Sequence, residues 1–271
     1  MSEPKPQQLW LPPNAANIAA GDINVALGIM GPAGAGKSFL IRQLALRWLK
    51  RWPQRRILVL ASENPSATIG SGLSNVFSVM APSLGQVTAE VDRMVEARKA
   101  GFKVPDIVFW DSASGSCDRE REKLRGGREG EDTRSGYFDL GAGVMGIMIK
   151  ARDELKTDWV TLCTTTQDGR ELCIDGKMAP RSFTRLTTVC FMLMPETIRY
   201  DTAAQTASEQ PHRSIGVNEK GQPVGMLVDR VFTTMNTGEF AGKGHFSLGI
   251  REKAILADVL AKIHGEKEEG S

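Results

Sequence analysis

Cysteine, net charge and long apolar runs are all in short supply in this chain, and each shortage removes a class of protein. Its four cysteines, Cys117, Cys163, Cys173 and Cys190, form no CxxC pair. Neither a structural zinc site nor a disulfide framework is therefore expected, and all four read as core or incidental thiols. The formal net charge is only +2, so no strong global field draws the molecule to nucleic acid or to a membrane. Any nucleic-acid contact has to come from local loops. No run of about 18 apolar residues occurs, which removes a membrane-spanning helix from the expected architecture. Residues 1–13 are polar and rich in proline, without the apolar stretch of a secretory signal.

What is present is ample apolar material, 41% of 271 residues, beside 24% charged. That suffices for one large core or one sizeable α/β domain with short extensions. We read residues 1–20 as a flexible arm carrying Leu9, Trp10 and Leu11 before two prolines. Residues 21–264 form the domain, and 265–271 a polar tail.

Strands are expected over 25–30, 56–61, 76–80, 106–111, 159–165, 188–194 and 226–233, each a short apolar run bounded by polar or turn residues. Helices are expected from 37 to about 50, from an N-cap at Thr88 to Ala100 with Gly101 as the stop, over about 138–156, and over 251–263. Residues 112–136 are polar, rich in glycine and without apolar periodicity, so they read as a mobile segment. Strands alternating with helices predict an α/β fold with a mainly parallel sheet covered on both faces. The basic run Arg47, Lys50, Arg51, Arg55 and Arg56 reads as cations around a helix C-terminus.

Gly31, Pro32, Ala33, Gly34, Ala35, Gly36, Lys37 and Ser38 match G-x-x-x-x-G-K-[ST] at every defined position. Glycines let backbone N–H groups converge on phosphate oxygens, Lys37 adds a point charge to the outer phosphates, and Ser38 offers a hydroxyl to Mg²⁺. The helix that opens there, through Phe39, adds the positive end of its dipole. The motif follows an apolar strand and opens a helix, the context it requires, so ATP with Mg²⁺ is the expected ligand.

Asp111 ends the apolar run from Ile107, where a carboxylate serves as the second magnesium anchor of a P-loop fold. Glu63 follows the strand ending at Ala61 and is the acidic residue placed to polarise an attacking water. Gln167 follows the strand ending at Thr165, where a neutral amide can hydrogen-bond a γ-phosphate. The bland alternatives are a turn-capping Asp, a solvated loop Glu and a polar residue entering a loop.

Together these segments resemble the RecA-like ATPases, and more closely the compact phage-encoded members of that group. Three stretches carry the resemblance: Gly31 to Ser38, the strand leading through Ser62 to Glu63, and the strand ending in Asp111-Ser112. It extends more loosely over residues 22–200. It implies a RecA-like core, a catalytic role for Glu63, a phosphate-sensing role for Gln167, and DNA-binding loops at 117–136 and 168–185. It further implies recombination or single-strand annealing on single-stranded DNA, with a single-strand DNA-binding protein as a further partner, in the cytoplasm of a bacterial host. Such proteins assemble as rings or filaments and complete each site with a basic side chain from the neighbour. Lys243, between Gly242 and Gly244, is the candidate for that role, and Trp10 for tethering the homo-oligomer.

The loop charges argue for weak DNA binding. Residues 117–136 hold six basic and six acidic side chains, a net of zero, and 168–185 hold four against three. Affinity for a phosphate backbone grows with each phosphate neutralised, and Phe183 is the best stacking residue in the second loop. Two other functions stay open on sequence: a P-loop small-molecule kinase whose lid is 117–136, and a nucleotide-gated assembly protein without a DNA role.

Overall fold

In the computed structural model, the described residues are 24–65, 69, 72–127, 134–166, 187, 189–201, 213–217, 223–233, 248–249 and 251–265. The arm over 1–20, the loop 168–185 and, apart from Gly265, the tail over 265–271 lie outside them.

The apolar runs form strands β1 (Ala26–Pro32), β2 (Ile57–Ala61), β3 (Val76–Met80), β4 (Ile107–Asp111), β5 (Asp158–Thr165) and β6 (Val189–Asp201). These six are parallel, in the order β3-β2-β4-β5-β1-β6. An antiparallel wing continues the sheet with β8 (Pro223–Thr233), flanked by β7 (Arg213–Val217) and β9 (Arg251–Lys253). The fold is α/β, with a mostly parallel mixed sheet. Central strands are buried on both faces, as the near-continuous apolar sequence of β1 and β4 requires.

Each face has its own core. Helix α1 (Lys37–Arg51) buries Leu40, Ile41, Leu44, Ala45 and Trp48 on one face, beside α5 (Leu256–His264). Helices α2 (Leu84–Lys99), α3 (Ala113–Gly127) and α4 (Arg134–Lys150) cover the other, around Trp110 and Trp159 in edge-to-face contact. Among the described residues, no helix is long and apolar enough to cross a membrane. Cys117, Cys163 and Cys190 are buried, as core thiols.

Four expectations about elements need correction. Helix α2 begins at Leu84 and is capped by Ser83, not Thr88. Ser83 and Gln86 form a reciprocal capping box, which satisfies two orphan donors, whereas the Thr88 hydroxyl donates to the Leu84 carbonyl inside the helix. The stop at Gly101 holds, with φ +85°.

Residues 113–127 form α3 rather than a mobile segment. Ala113, Ser114, Ser116 and Cys117 are buried in its first turns. Further along, charge pairs at i,i+3 support it, Arg119 with Glu122 and Asp118 with Arg121. A search for apolar periodicity passes over such a helix.

The helix expected over 138–156 starts at Arg134 and ends at Lys150, followed by a π-helical turn, Ala151–Leu155, and Lys156 at φ +49°. The helix expected over 251–263 divides into β9 and α5. Residues 251–253 pair with Thr233, Phe232 and Val231 at the end of β8, and the helical stripe starts only at Leu256.

Candidate functional site

The C-terminal ends of β1, β2, β4 and β5 share one edge of the sheet, and most of the candidate residues lie there. Strand β1 runs through Gly31 and Pro32, and the chain turns at Ala33–Gly36 into α1. Gly36 serves as the N-cap with φ +90°, and Gly34 has φ +76°. Both are left-handed conformations that favour glycine. Gly31 answers a different need: a Cβ there would stand 2.8 Å from the Leu193 carbonyl oxygen of β6. No side chain caps α1, and its first turn holds no acidic residue. The helix's own first turn thus places no anion on its dipole end.

Lys37 folds back under the loop. Its Nζ donates to the carbonyl oxygens of Gly31 at 2.8 Å and Pro32 at 2.9 Å, and the residue is 8% exposed. The ammonium is thereby held at the loop while Ala33 and Gly34 stay exposed above it. Ser38 and Phe39 are half-buried in the first turn of α1.

The structure brings Ser38 to Asp111. The Ser38 hydroxyl donates to the Asp111 carboxylate, and the Lys37 charge acts on the same group. Burial pushes the Asp111 carboxyl above the ordinary aspartate range; the Ser38 hydrogen bond and Lys37 draw it back, and the Glu63 carboxylate pushes it further up. Glu63 itself is exposed, just past the end of β2. Four of the candidate residues, Lys37, Ser38, Asp111 and Glu63, therefore form one electrostatic cluster. A cleft of ≈ 640 Å³ opens beside Glu63 and is lined also by Ser62, Met80, Ser83, Gln86, Arg119 and Glu122.

Strand β5 lies between β4 and β1, with Thr165 opposite Pro32. Gln167 lies two residues beyond Thr165 and outside the described residues, as do Lys243, Trp10 and Phe183.

Sequence reasoning missed a set of serines that fastens this edge. The Ser112 hydroxyl accepts from the Gly115 N–H at 3.1 Å and so caps α3, just after the cis Asp111–Ser112 peptide. The Ser114 hydroxyl accepts from the Thr164 N–H of β5 at 2.9 Å. The Ser116 hydroxyl accepts from the Trp110 indole N–H at 3.0 Å. The signal was present as three alternate serines straight after Asp111, but reading them as caps required knowing that a helix follows.

The cluster suits a hard divalent cation, which prefers oxygen donors of the kind Ser38 and Asp111 supply. A raised Asp111 pKa gives a signed prediction. A carboxyl held above its usual 3.8 favours folding only while protonated, and that contribution is lost as pH rises through the folded value. Near neutral pH, where an ordinary aspartate has lost its proton, the raised pKa of Asp111 is therefore a net cost to the ligand-free fold. Asp111→Asn is expected to melt at the same temperature as wild type or higher without ligand, and to lose the extra stabilisation given by ATP plus Mg²⁺. Thermal melts with and without both ligands check this; a wild-type magnesium-dependent shift in the variant would remove Asp111 from the metal site. No protein-family model matches this chain, and no curated protein matches it in sequence.

Proposed function

We propose that this chain is a magnesium-dependent ATPase of the RecA-like class, acting in DNA recombination or single-strand annealing as a homo-oligomer on single-stranded DNA. The observation that carries the ATPase reading is the meeting of the Lys37–Ser38 loop with Asp111 and Glu63 at the C-terminal edge of parallel strands, where open α/β sheets bind ligands. Supporting the finer class is the order of elements after β4, helical segments and then β5, where the resemblance expects a helix and a strand, with Gln167 two residues beyond the end of β5 in the sequence.

In this reading the turn at Gly34 and Gly36 presents backbone N–H groups to the phosphates, and the α1 N-terminus adds its dipole. Lys37 places its ammonium against the outer phosphates. Ser38 and Asp111 would hold Mg²⁺, which when bound neutralises charge on the phosphate oxygens. Glu63 accepts a proton from the attacking water, for which an exposed carboxylate two residues past the end of the strand is suited. Gln167 senses the γ-phosphate, and Lys243 completes the neighbour's site, with Trp10 as tether.

A second reading, phosphoryl transfer to a small acceptor, draws on the cleft beside Glu63, whose ≈ 640 Å³ would accommodate one. Phosphate release from ATP and Mg²⁺ by the full chain, with and without single-stranded DNA, tests the proposal. Release that rises with DNA supports it. Release only as a phosphorylated small acceptor accumulates would replace it with the second reading, and no release under any condition would remove both.

A further inference from the structure

The ladder between β2 and β4 ends at the pair Ala61–Asp111, and the residues meant to act together lie at or just beyond that end. Something must keep Glu63 and Asp111 from drifting apart once regular pairing stops. Ser62 is the residue at that place, and it is 5% exposed. Its N–H donates to the Asp111 carbonyl oxygen at 2.7 Å, and its hydroxyl donates to the same oxygen at 3.2 Å. The hydroxyl also accepts from the Ser112 N–H at 3.1 Å. One side chain thus holds both sides of the peptide that follows Asp111.

The fit is closed from above by α3. A Cβ added at Gly115 would lie 2.4 Å from the Ser62 Oγ and 3.0 Å from its Cβ. Such distances force a displacement, so glycine at 115 is what lets the first turn of α3 sit on the Ser62 hydroxyl. The same turn reaches β5 through Ser114 and Thr164. Loosening it would therefore disturb three strand ends at once.

We propose that Ser62 is the positioning residue of this site: its hydroxyl, seated in the notch left by Gly115, sets the spacing between Glu63 and the Asp111–Ser38 pair. The inference rests on the ATPase reading and on Glu63 acting on water. Ser62 needs no contact with the nucleotide for this. Its loss should therefore leave binding intact and slow the step that depends on geometry, where a misplacement of about 1 Å can cost on the order of a hundredfold.

The test is steady-state hydrolysis by the full chain with Mg²⁺, together with equilibrium binding of a fluorescent ATP analogue. Ser62→Ala is expected to lower kcat by on the order of tenfold to a hundredfold, with KM and analogue affinity near wild type. Gly115→Ala, which displaces the hydroxyl instead of deleting it, is expected to do the same and decides the matter if Ser62→Ala does not fold. In a Glu63→Gln background Ser62→Ala is expected to change kcat no further, because Ser62 acts through Glu63. If Glu63→Gln loses turnover while folded Ser62→Ala or Gly115→Ala keeps it, the positioning role is overturned. An equal loss from Ser62→Ala in both backgrounds overturns it too. If Glu63→Gln keeps turnover, the water-activating role assigned to Glu63 has failed, and the positioning role falls with it.

Discussion

Lys37→Ala is expected to reduce ATP hydrolysis by a factor of about 10²–10³, the usual cost of losing one preorganised electrostatic contact to a reacting group. The ammonium is held under the loop by the Gly31 and Pro32 carbonyl oxygens, so its charge is fixed in the loop that the motif assigns to the phosphates. Deletion also removes two charge-assisted hydrogen bonds from the loop, each with a net value of about 1.5–3 kcal/mol. A melting curve separates this effect from the catalytic one, since the ligand-free variant should stay folded at the assay temperature. Turnover equal to wild type in the folded variant would end the assignment of this loop as a nucleotide site.

Glu63→Gln is expected to keep ATP and Mg²⁺ binding and to lose about 10²–10⁴ in kcat, the range for removal of a general base. The substitution preserves size at an exposed position, so stability should move by no more than about 0.5 kcal/mol. It also removes a negative charge that pushes the Asp111 carboxyl up. The variant should therefore hold Mg²⁺ as well as wild type or better in mildly acidic buffer. Single-turnover hydrolysis and nucleotide binding, measured side by side, check both halves. Normal turnover would move the base elsewhere, and Glu122, on the same cleft, or Glu120 would be the next residue to replace.

Legibility differed among the elements for physical reasons. Strand β1, its loop and α1 could be read directly because every requirement there is local. An apolar run has to be buried, glycines have to take left-handed conformations, and a 3.6-residue stripe has to face a sheet. Helix α3 could not be read that way, since the buried residues of its first turns are mostly small or polar and charged pairs at i,i+3 follow them. Thr88 and Ser83 were both acceptable caps by residue type. The reciprocal bonds with Gln86 favoured Ser83. Residues 251–253 carry too short a pattern to announce a strand, and they become one because the end of β8 offers unpaired backbone groups.

The sequence by itself determined the G-x-x-x-x-G-K-S motif at Gly31–Ser38, the α/β class and the choice of Lys37, Ser38, Glu63 and Asp111 as the residues to watch, because each follows from residue type and immediate neighbours. It could not determine the lateral order of the strands, since nothing local states which strand a given run will pair with. Tertiary structure decided that β4 lies beside β2, with β5 between β4 and β1. That order sets Ser38 and Lys37 against Asp111 and places Glu63 close enough to act on its charge. The Ser62–Gly115 fit was decided there as well, because a hydroxyl and the absence of a Cβ, more than fifty residues apart in the chain, acquire meaning only where two elements meet.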